Sequence, residues 1–504
     1  METEIELKFF VLPEFSNILQ SKIADAKILQ QSSKNLGNIY FDTPNQLLRK
    51  HDIGFRIRRF DNVYVQTLKT SGRVVAGLHQ RPEYNAEHDS NHPDVYLHPV
   101  DAWPEQINLS QLQQELEPLF STNFVRQQWL IAMPDGSHIE LAFDQGEVIA
   151  GEDVALICEV ELELKSGQTD ALFTLARTLS EEGGMRLGNQ SKAAKGYRLA
   201  GGQLSDEIKS LSTVKVLPSD SVEACFIASL EHALAHWHYH EQIYIERSGA
   251  QALQEISTAI SFIRQILAAF SDVIPRRASA VIRQELKWLN EEFTWLDQAK
   301  YITALTEDKG QPLRRLDAQK QIVSNLTSQF ENLPDREDCL ALLQSSRYCG
   351  LLLDMSRWIL TKGWQPFLDH PAKEIMETPI EGYSKELLNN TWQQLLDAFP
   401  VGASLHCEDY VVQKSCLSRN LMTGICFADI YEEDRRSKFR MPWEDLLAGI
   451  DDLEMLEPLR VQVELLDGEE KEQLIRWIER QERSLLHAMD QTRNAGVDIP
   501  PYWQ

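Results

Sequence analysis

The chain opens with Met1-Glu-Thr-Glu-Ile-Glu-Leu-Lys8, in which charged residues alternate with Thr, Ile and Leu. Successive side chains of a β-strand point to opposite faces, so a period of two places all these charges on one face. For one strand alone, the simplest interpretation is the solvated face of an ordinary antiparallel sheet.

The same alternation returns later in the chain. Residues 159–165 read Glu-Val-Glu-Leu-Glu-Leu-Lys, and residues 54–60 read Gly-Phe-Arg-Ile-Arg-Arg-Phe, with two arginines on one face. Several strands with one ionic face and one apolar face predict a closed antiparallel barrel with a charged interior.

Charges inside a barrel are costly unless something binds to them. Clustered carboxylates suit hard divalent cations, which take oxygen ligands. Clustered Arg and Lys suit phosphate oxygens, and Arg offers a planar fork of donors. A lining with both kinds of group therefore indicates a substrate made of a metal ion and a polyphosphate.

Glu4-Ile-Glu6-Leu-Lys8 resembles the Glu-x-Glu-x-Lys signature of the CYTH, or triphosphate tunnel metalloenzyme, superfamily. Further motifs of that superfamily follow in the expected order: Arg56-x-Arg58, Leu68-Lys69, Arg81-x-Glu83, Arg126, Glu140, Asp144-x-Gly146, Glu159-x-Glu161-x-Glu163 and Ser191-Lys192. The resemblance implies an α+β chain that begins with an antiparallel β-barrel tunnel over residues 1–200.

The resemblance also implies roles for the lining. The expected metal ligands are Glu4, Glu6, Glu161 and Glu163, and Mg²⁺ or Mn²⁺ is the expected ion because oxygen-only sites favour these over zinc. The expected phosphate-binding residues are Lys8, Arg56, Arg58, Lys69, Arg81, Arg126 and Lys192. The expected catalytic residues are Glu159, Glu161 and Lys8, with a glutamate of the later strand taking the proton of the attacking water. Glu83 is expected to orient Arg81 by pairing, and Asp144 to contact metal or brace the lining.

The 504 residues are enough for two to four domains. Residues 201–220 read as a linker, and from 221 to 504 apolar residues recur at helical spacing, which predicts an all-α helical-bundle domain. The predicted helices include residues 14–30 in the first domain and 250–270, 278–305, 313–330, 336–360, 386–399 and 468–490 in the second.

A helical domain after a CYTH domain resembles the CHAD (conserved-histidine α-helical) domain, which is associated with polyphosphate. That resemblance implies a polyphosphate contact for residues 221–504. In the CHAD family each half carries a His followed by arginines, whereas residues 254–264 here read Gln-Glu-Ile-Ser-Thr-Ala-Ile-Ser-Phe-Ile-Arg, without the arginine run.

His232, His236 and His240 recur every four residues and would share one helix face. Two interpretations stay open: a transition-metal or anion site, or simply a polar or capping helix face. The metalloprotease motif His-Glu-x-x-His is excluded, because Tyr244 stands where its second His should be.

A net charge of −26 argues against non-specific nucleic-acid binding and against attraction to anionic membranes. The chain opens with an acidic strand rather than a signal peptide, and no apolar run approaches the roughly 20 residues of a bilayer span. Seven cysteines without a Cys-x-x-Cys pair indicate free thiols in a reducing cytoplasm.

The expected function is divalent-metal-dependent hydrolysis of inorganic triphosphate to pyrophosphate and phosphate, since bacterial CYTH–CHAD chains of this layout resemble inorganic triphosphatases. Two other activities use the same tunnel: an adenylate cyclase, and a thiamine or nucleoside triphosphatase. A non-catalytic polyphosphate-binding protein is the alternative from another class.

Overall fold

A computed structural model describes residues 2–60, 63–75, 77–203, 205–307 and 313–504. By their contacts these residues form two compact units. The first unit comprises residues 1–207, 245–247 and 340–362, and the second comprises residues 208–244, 248–339 and 363–504.

The first unit is built on a closed antiparallel barrel. Its strands are β1 (Glu2–Val11), β2 (Lys27–Asp42), β3 (Gly54–Phe60), β4 (Val63–Lys69), β5 (Arg73–Val75), β6 (Leu78–His88), β7 (Glu117–Ala132), β8 (His138–Ala150), β9 (Asp153–Ser166) and β10 (Met185–Leu187). Eight of them run in the order β1-β9-β8-β7-β2-β3-β4-β6, and pairing of β1 with β6 closes the ring. This confirms the predicted barrel.

Helices on the outside explain why the charged faces point inward. The short helices α1 (Phe15–Lys22), α2 (Leu47–Lys50) and α3 (Leu109–Glu115) are followed by α4 (Asp170–Ser180). Helix α5 (Lys192–Ala200) differs from these, because its residues Lys192 and Tyr197 line the interior of the barrel. Helix α4 packs on β1 and β9, whose alternate residues Leu7 and Leu162 are completely buried. Because the apolar face of these strands is covered in this way, the period of two turns their charged face toward the lumen.

The remaining described chain is helical, as predicted. Its α-helices are α6 (Val222–Arg247), α7 (Ala250–Ala269), α8 (Ala280–Glu292), α9 (Trp295–Glu307), α10 (Gln319–Phe330), α11 (Arg336–Leu343), α12 (Ser346–Leu360), α13 (His370–Glu377), α14 (Ile380–Ala398), α15 (Cys407–Cys426), α16 (Glu433–Glu454), α17 (Glu457–Val463) and α18 (Gly468–Val497). In the second unit, α14, α15, α16 and α18 pack in succession, and α7 packs on α15. Among the described residues, no helix has the length and apolarity to cross a bilayer.

Several predicted helices end earlier or are divided. The first helix stops at Lys22, and residues 27–30, predicted to be helical, begin β2 instead. Long-range pairing decides this, because β2 pairs with β7 from Lys27 to Asp42 and so satisfies the backbone of the whole strand. The predicted helix 278–305 is two helices, α8 and α9, and 336–360 is likewise divided into α11 and α12.

Helix α5 sits tightly against the barrel wall, which generates a stability prediction. A Cβ on Gly196 would lie 2.1 Å from ring carbons of Phe120, a ring that is stacked on Tyr40 in the core. We expect Gly196→Ala to destabilise the fold by about 1–3 kcal/mol, the usual cost of overpacking. Urea unfolding followed by circular dichroism measures this.

Gly382 in α14 is the matched control, because a Cβ there meets no atom within 4 Å. Gly382→Ala should stabilise the protein by up to about 1 kcal/mol, the helix-propensity gain of alanine. Equal effects of the two substitutions would contradict the close packing of α5 on Phe120.

Candidate functional site

A cavity of about 500 Å³ lies within the first unit and is lined by inward-facing side chains of the barrel. It brings together almost all the predicted site residues: Glu4, Glu6, Lys8, Arg56, Arg58, Lys69, Arg81, Arg126, Glu161, Glu163 and Lys192. Glu159 is 2% exposed and is not among the residues that line the cavity, but its carboxylate accepts hydrogen bonds from Lys8 and Lys192, which are.

Strand register sets which lining charges face each other. In the β1–β9 pair, Lys8 lies opposite Glu161 and Glu6 lies opposite Glu163. In the next pair, Glu163 lies opposite Glu140 of β8. Glu6, Glu163 and Glu140 therefore form an acidic row across three strands, and like charges opposite one another destabilise a sheet.

One part of the lining is a neutralised cluster, made of Asp144, Glu159 and Glu161 with Lys8, Arg126 and Lys192. Arg126 binds Asp144 through two parallel bonds of 2.7 and 2.6 Å, and Lys8 Nζ lies 2.6 Å from Glu161. Burial opposes ionisation of Glu161, yet Lys192, Lys8 and Arg126 outweigh it and hold the pKa of Glu161 well below its ordinary range. This carboxylate stays charged.

Three other glutamates of the lining, Glu4, Glu6 and Glu163, behave in the opposite way. Burial, with the nearby charge of Glu161, raises the pKa of Glu6, and burial also raises the pKa of Glu163 and of Glu4. Lys165 pairs with Glu163 at 2.7 Å, and Lys69 pairs with Glu4, but these cations do not restore the ordinary pKa values. In this part of the lumen burial outweighs the effect of the nearby cations on the pKa values.

The two lumen-facing arginines of β3 differ in their surroundings. Burial opposes the charge of Arg56, but Tyr40 and Glu83 outweigh it and raise the pKa of Arg56, whereas Arg58 has no anionic partner among the described residues. Burial and the neighbouring cations Arg56 and Arg126 lower the pKa of Arg58 to about 9, so its guanidinium is held where positive charge is unfavourable. Its Nε donates to Asn38 at 2.9 Å, a neutral partner. Arg56 Nη1 donates to the Tyr40 hydroxyl at 3.3 Å, and Arg56 Nε is buried without a hydrogen-bond partner among the described residues.

The structure corrects one predicted pairing. Arg81 does not pair with Glu83; its Nη2 binds the carboxylate of Asp52 at 3.0 and 3.2 Å. Glu83 pairs with Lys69 at 2.9 Å, and although burial opposes ionisation, Lys69 and Arg56 lower the pKa of Glu83 to about 2. Asp144 does brace the lining, through Arg126 and Lys192.

Sequence reasoning missed Asp52 and the role of Asp42. Asp42 is completely buried at the end of β2, where its carboxylate accepts from the backbone N–H groups of Leu48 and Arg49 and from the Tyr197 hydroxyl at 2.8–2.9 Å. It thus anchors α2 and α5 to the barrel. The available signal was an Asp that ends a strand just before a turn and a short helix, a position that favours capping.

Two groups of carboxylates have the chemistry to hold a divalent cation. Oxygens of Asp144, Glu159 and Glu161 lie within 4.8 Å of one another, but three cations already neutralise that group. Glu4, Glu6 and Glu163 do not form such a close group among the described residues, and Lys69 and Lys165 pair with two of them. Burial nevertheless raises their pKa values, so a cation beside them would favour the ionised form.

The described chain thus combines a closed antiparallel barrel, whose cavity is lined by both carboxylates and cations, with a helical region. The comparisons with known families match these two parts separately. The family model of the CYTH domain matches residues 2–197, and that of the CHAD domain matches residues 228–466. The chain therefore carries a CYTH domain followed by a CHAD domain.

Individual relatives match parts of the chain. The inorganic triphosphatase of Haemophilus influenzae is 41% identical over 208 residues, which are 40% of this chain and 56% of that relative. A Ricinus communis CHAD domain covers 59% of this chain and 99% of its own, at 16% identity and a TM-score of 0.45. A Hippeastrum protein, proposed as an adenylyl cyclase and described by a dominant triphosphatase activity, covers 40% and 97%, at 19% identity and a TM-score of 0.29.

The two kinds of carboxylate should respond to pH in opposite ways. The pKa of Glu6 is raised above its ordinary 4.5, so the ionised form opposes folding and this cost grows as pH rises above that value. We expect Glu6→Gln to raise the Tm of the metal-free protein at pH 7–8. The increase should disappear at pH 4, where protonated Glu and Gln are alike.

Glu161→Gln is the matched comparison. The pKa of Glu161 is lowered, so its stabilisation is present above pH 4.5 and is lost as pH falls through the folded-state pKa. The variant should lose about 3–5 kcal/mol at pH 7, because Lys8, Lys192 and Arg126 lose a buried partner. Calorimetry from pH 4 to 8 tests both variants, and a lower Tm for Glu6→Gln at pH 8 would contradict the assignment.

Proposed function

We propose that the barrel binds a triphosphate chain with Mg²⁺ or Mn²⁺ and hydrolyses it to pyrophosphate and phosphate. The observation that carries the proposal is the pairing of two unmet charges in one cavity. Arg58 has no anionic partner among the described residues and a lowered pKa, and burial raises the pKa of Glu6. A metal–polyphosphate complex supplies an anion and a cation at once.

The positively charged side of the lining would hold the phosphate oxygens. Arg56, Arg58 and Arg126 offer planar forks that match phosphate geometry. The ammonium groups of Lys8, Lys69 and Lys192 add charge at the same lumen. Burial opposes their ionisation, but nearby carboxylates raise the pKa of each, so the three remain cations through the working pH range.

The carboxylate side would hold the metal. Glu4, Glu6 and Glu163 are the proposed ligands together with Glu161, and their oxygen-only donor set suits Mg²⁺ or Mn²⁺. When bound, such an ion supplies neutralisation of phosphate charge and polarisation of a coordinated oxygen. The raised pKa values of Glu4, Glu6 and Glu163 support this assignment, because burial makes their ionised forms unfavourable and a bound cation would offset that cost.

The proposed reaction is in-line attack of water on a terminal phosphoryl group. Glu161 remains ionised beside the lumen, so its carboxylate is able to accept a hydrogen bond from that water and orient it. Glu159 lies on the same strand face and is the proposed acceptor of the water proton. Lys8 bridges the two carboxylates and is proposed to stabilise charge that develops on the transferred group.

Inorganic triphosphate is the proposed substrate in preference to a nucleotide. Among the described residues that line the cavity, the tyrosines are Tyr40 and Tyr197. Tyr40 is stacked on Phe120 with ring centroids 4.6 Å apart, and Tyr197 meets the same ring edge-on at 5.2 Å. Both tyrosines are engaged in the core, which makes them poor platforms for a base. The triphosphatase name of the Haemophilus relative supports the same substrate.

The proposed partner of the barrel is thus a small anion rather than nucleic acid or membrane. Separately, we propose that the helical region contacts long-chain polyphosphate. We also propose a cytoplasmic location. All seven cysteines are free, which suits a reducing compartment.

Phosphate release is the direct test. The full chain should release phosphate from inorganic triphosphate in the presence of Mg²⁺ or Mn²⁺ and lose the activity in excess chelator. ATP and long-chain polyphosphate should be poor substrates by kcat/KM. Pyrophosphate released from ATP together with a cyclic nucleotide would instead establish the cyclase, and tight triphosphate binding without any release would establish the non-catalytic binder.

Glu6→Gln adds a control for folding to that assay. It should lose at least about 100-fold in kcat/KM, a typical loss for one electrostatic group of an active site. Since the same variant is expected to be more stable without metal, a loss of activity cannot be attributed to unfolding. Full activity in Glu6→Gln would rule out its role as a ligand.

Arg58 and Arg59 provide a matched pair for phosphate binding. They are neighbours on β3, but Arg58 lines the cavity whereas Arg59 is exposed and lies over Tyr64. Arg58→Ala should lower kcat/KM for triphosphate by about 10²–10³-fold, and Arg59→Ala should leave it unchanged. Steady-state kinetics at fixed ionic strength measures this, and equal losses in both variants would point to a general charge effect instead.

A further inference from the structure

The histidines of α6 approach a glutamate of the next helix. His236 and His240 are one turn apart, with ring centroids 4.2 Å from each other. Glu255 of α7 places a carboxylate oxygen 2.8 Å from His236 Nε2. One donor atom from each of the three residues lies within 4.8 Å of the other two.

This arrangement is sheltered from water. His240 is completely buried, the His236 side chain is 8% exposed, and that of Glu255 is 21% exposed. Water therefore competes weakly for the donor atoms, while the partly exposed carboxylate leaves a route for an ion to enter.

Hydrogen bonds select the tautomer of His240. Its Nδ1 lies 2.9 Å from the carbonyl oxygen of His236 and so donates a proton to it. Its Nε2 then carries the lone pair, and at present accepts the backbone N–H of Lys209 at 3.2 Å. A ring N–H bonded to a backbone carbonyl is the usual support of a metal-binding histidine, because it orients the ring and raises its basicity.

We propose that His236, His240 and Glu255 form a binding site for a divalent transition-metal cation of the zinc class. Two imidazoles from positions i and i+4 of one helix and a carboxylate from elsewhere are a ligand set that tetrahedral Zn²⁺ takes, with one position left for water. The ion replaces the proton between His236 and Glu255, and His240 exchanges the Lys209 amide for the metal. Mg²⁺ is a poor occupant, since it prefers oxygen ligands.

The barrel offers a metal ion only oxygen ligands, whereas the site on α6 and α7 offers two imidazole nitrogens. This difference allows the α6–α7 site to be tested independently of triphosphate hydrolysis. We would dialyse tag-free full chain against Zn²⁺ with excess Mg²⁺, which occupies the oxygen-only ligands of the barrel, and then measure bound zinc. One zinc per chain is expected. Replacement by Co²⁺ should give the intense visible absorption of a tetrahedral ion.

His236→Gln and Glu255→Gln should each weaken zinc binding by more than about 100-fold, beyond the loss typical of a residue that merely supports a ligand. His232→Gln is the matched control. It lies one turn earlier on the same helix, bonds to the Ser212 carbonyl at 2.8 Å, and should keep the zinc.

The Tm provides a second readout. Zinc should raise the Tm of the wild type and of His232→Gln and leave that of the other two variants unchanged, and circular dichroism shows whether each variant is folded. Glu255 is the most exposed ligand, so its variant tests the proposal even if His236→Gln does not fold. Absence of bound zinc in the wild type, or zinc retained by Glu255→Gln, would overturn the proposal.

Discussion

The barrel depends on holding charges of both signs close together in a lumen where many of the side chains are largely buried. Buried ions are stable only where partners lie close, and the strand register supplies many of these partners. Lys8 opposite Glu161 and Arg126 opposite Asp144 are examples, each formed by residues paired across adjacent strands. Closure of β1 on β6 completes the ring and brings Glu4 opposite Arg81.

The charges of the barrel interior are neutralised in one place and are not neutralised in two others. Asp144, Glu159 and Glu161 have their cations, whereas Glu6 is held with a raised pKa and Arg58 with a lowered one. Such residues oppose folding in the free protein, and the proposed metal–triphosphate ligand would relieve both. A site built in this way would meet the charges of that ligand without first rearranging its own groups.

The sequence of the helical region departs from the arginine-rich pattern of CHAD domains. Histidines cluster instead on α6, with Glu255 facing two of them.

One helix, α12, belongs to the first compact unit although it lies far along the chain. Arg357 of α12 binds Asp170 of α4 through bonds of 2.6 and 2.7 Å, and Gly184 N–H donates to the Gln344 carbonyl. No pattern in the sequence indicated this grouping.

By itself, the sequence determined the ionic barrel and most of its lining. A period of two is a local property, so the alternation in residues 2–8 and 159–165 is enough to assign side chains to the inner face. The tertiary structure alone decided which charges meet: Arg81 binds Asp52 rather than Glu83, and Glu6 faces Glu163. It also made residues 27–30 a strand, through their pairing with β7. Partners, pKa values and such strand ends depend on register between segments distant in the chain, which no local pattern contains.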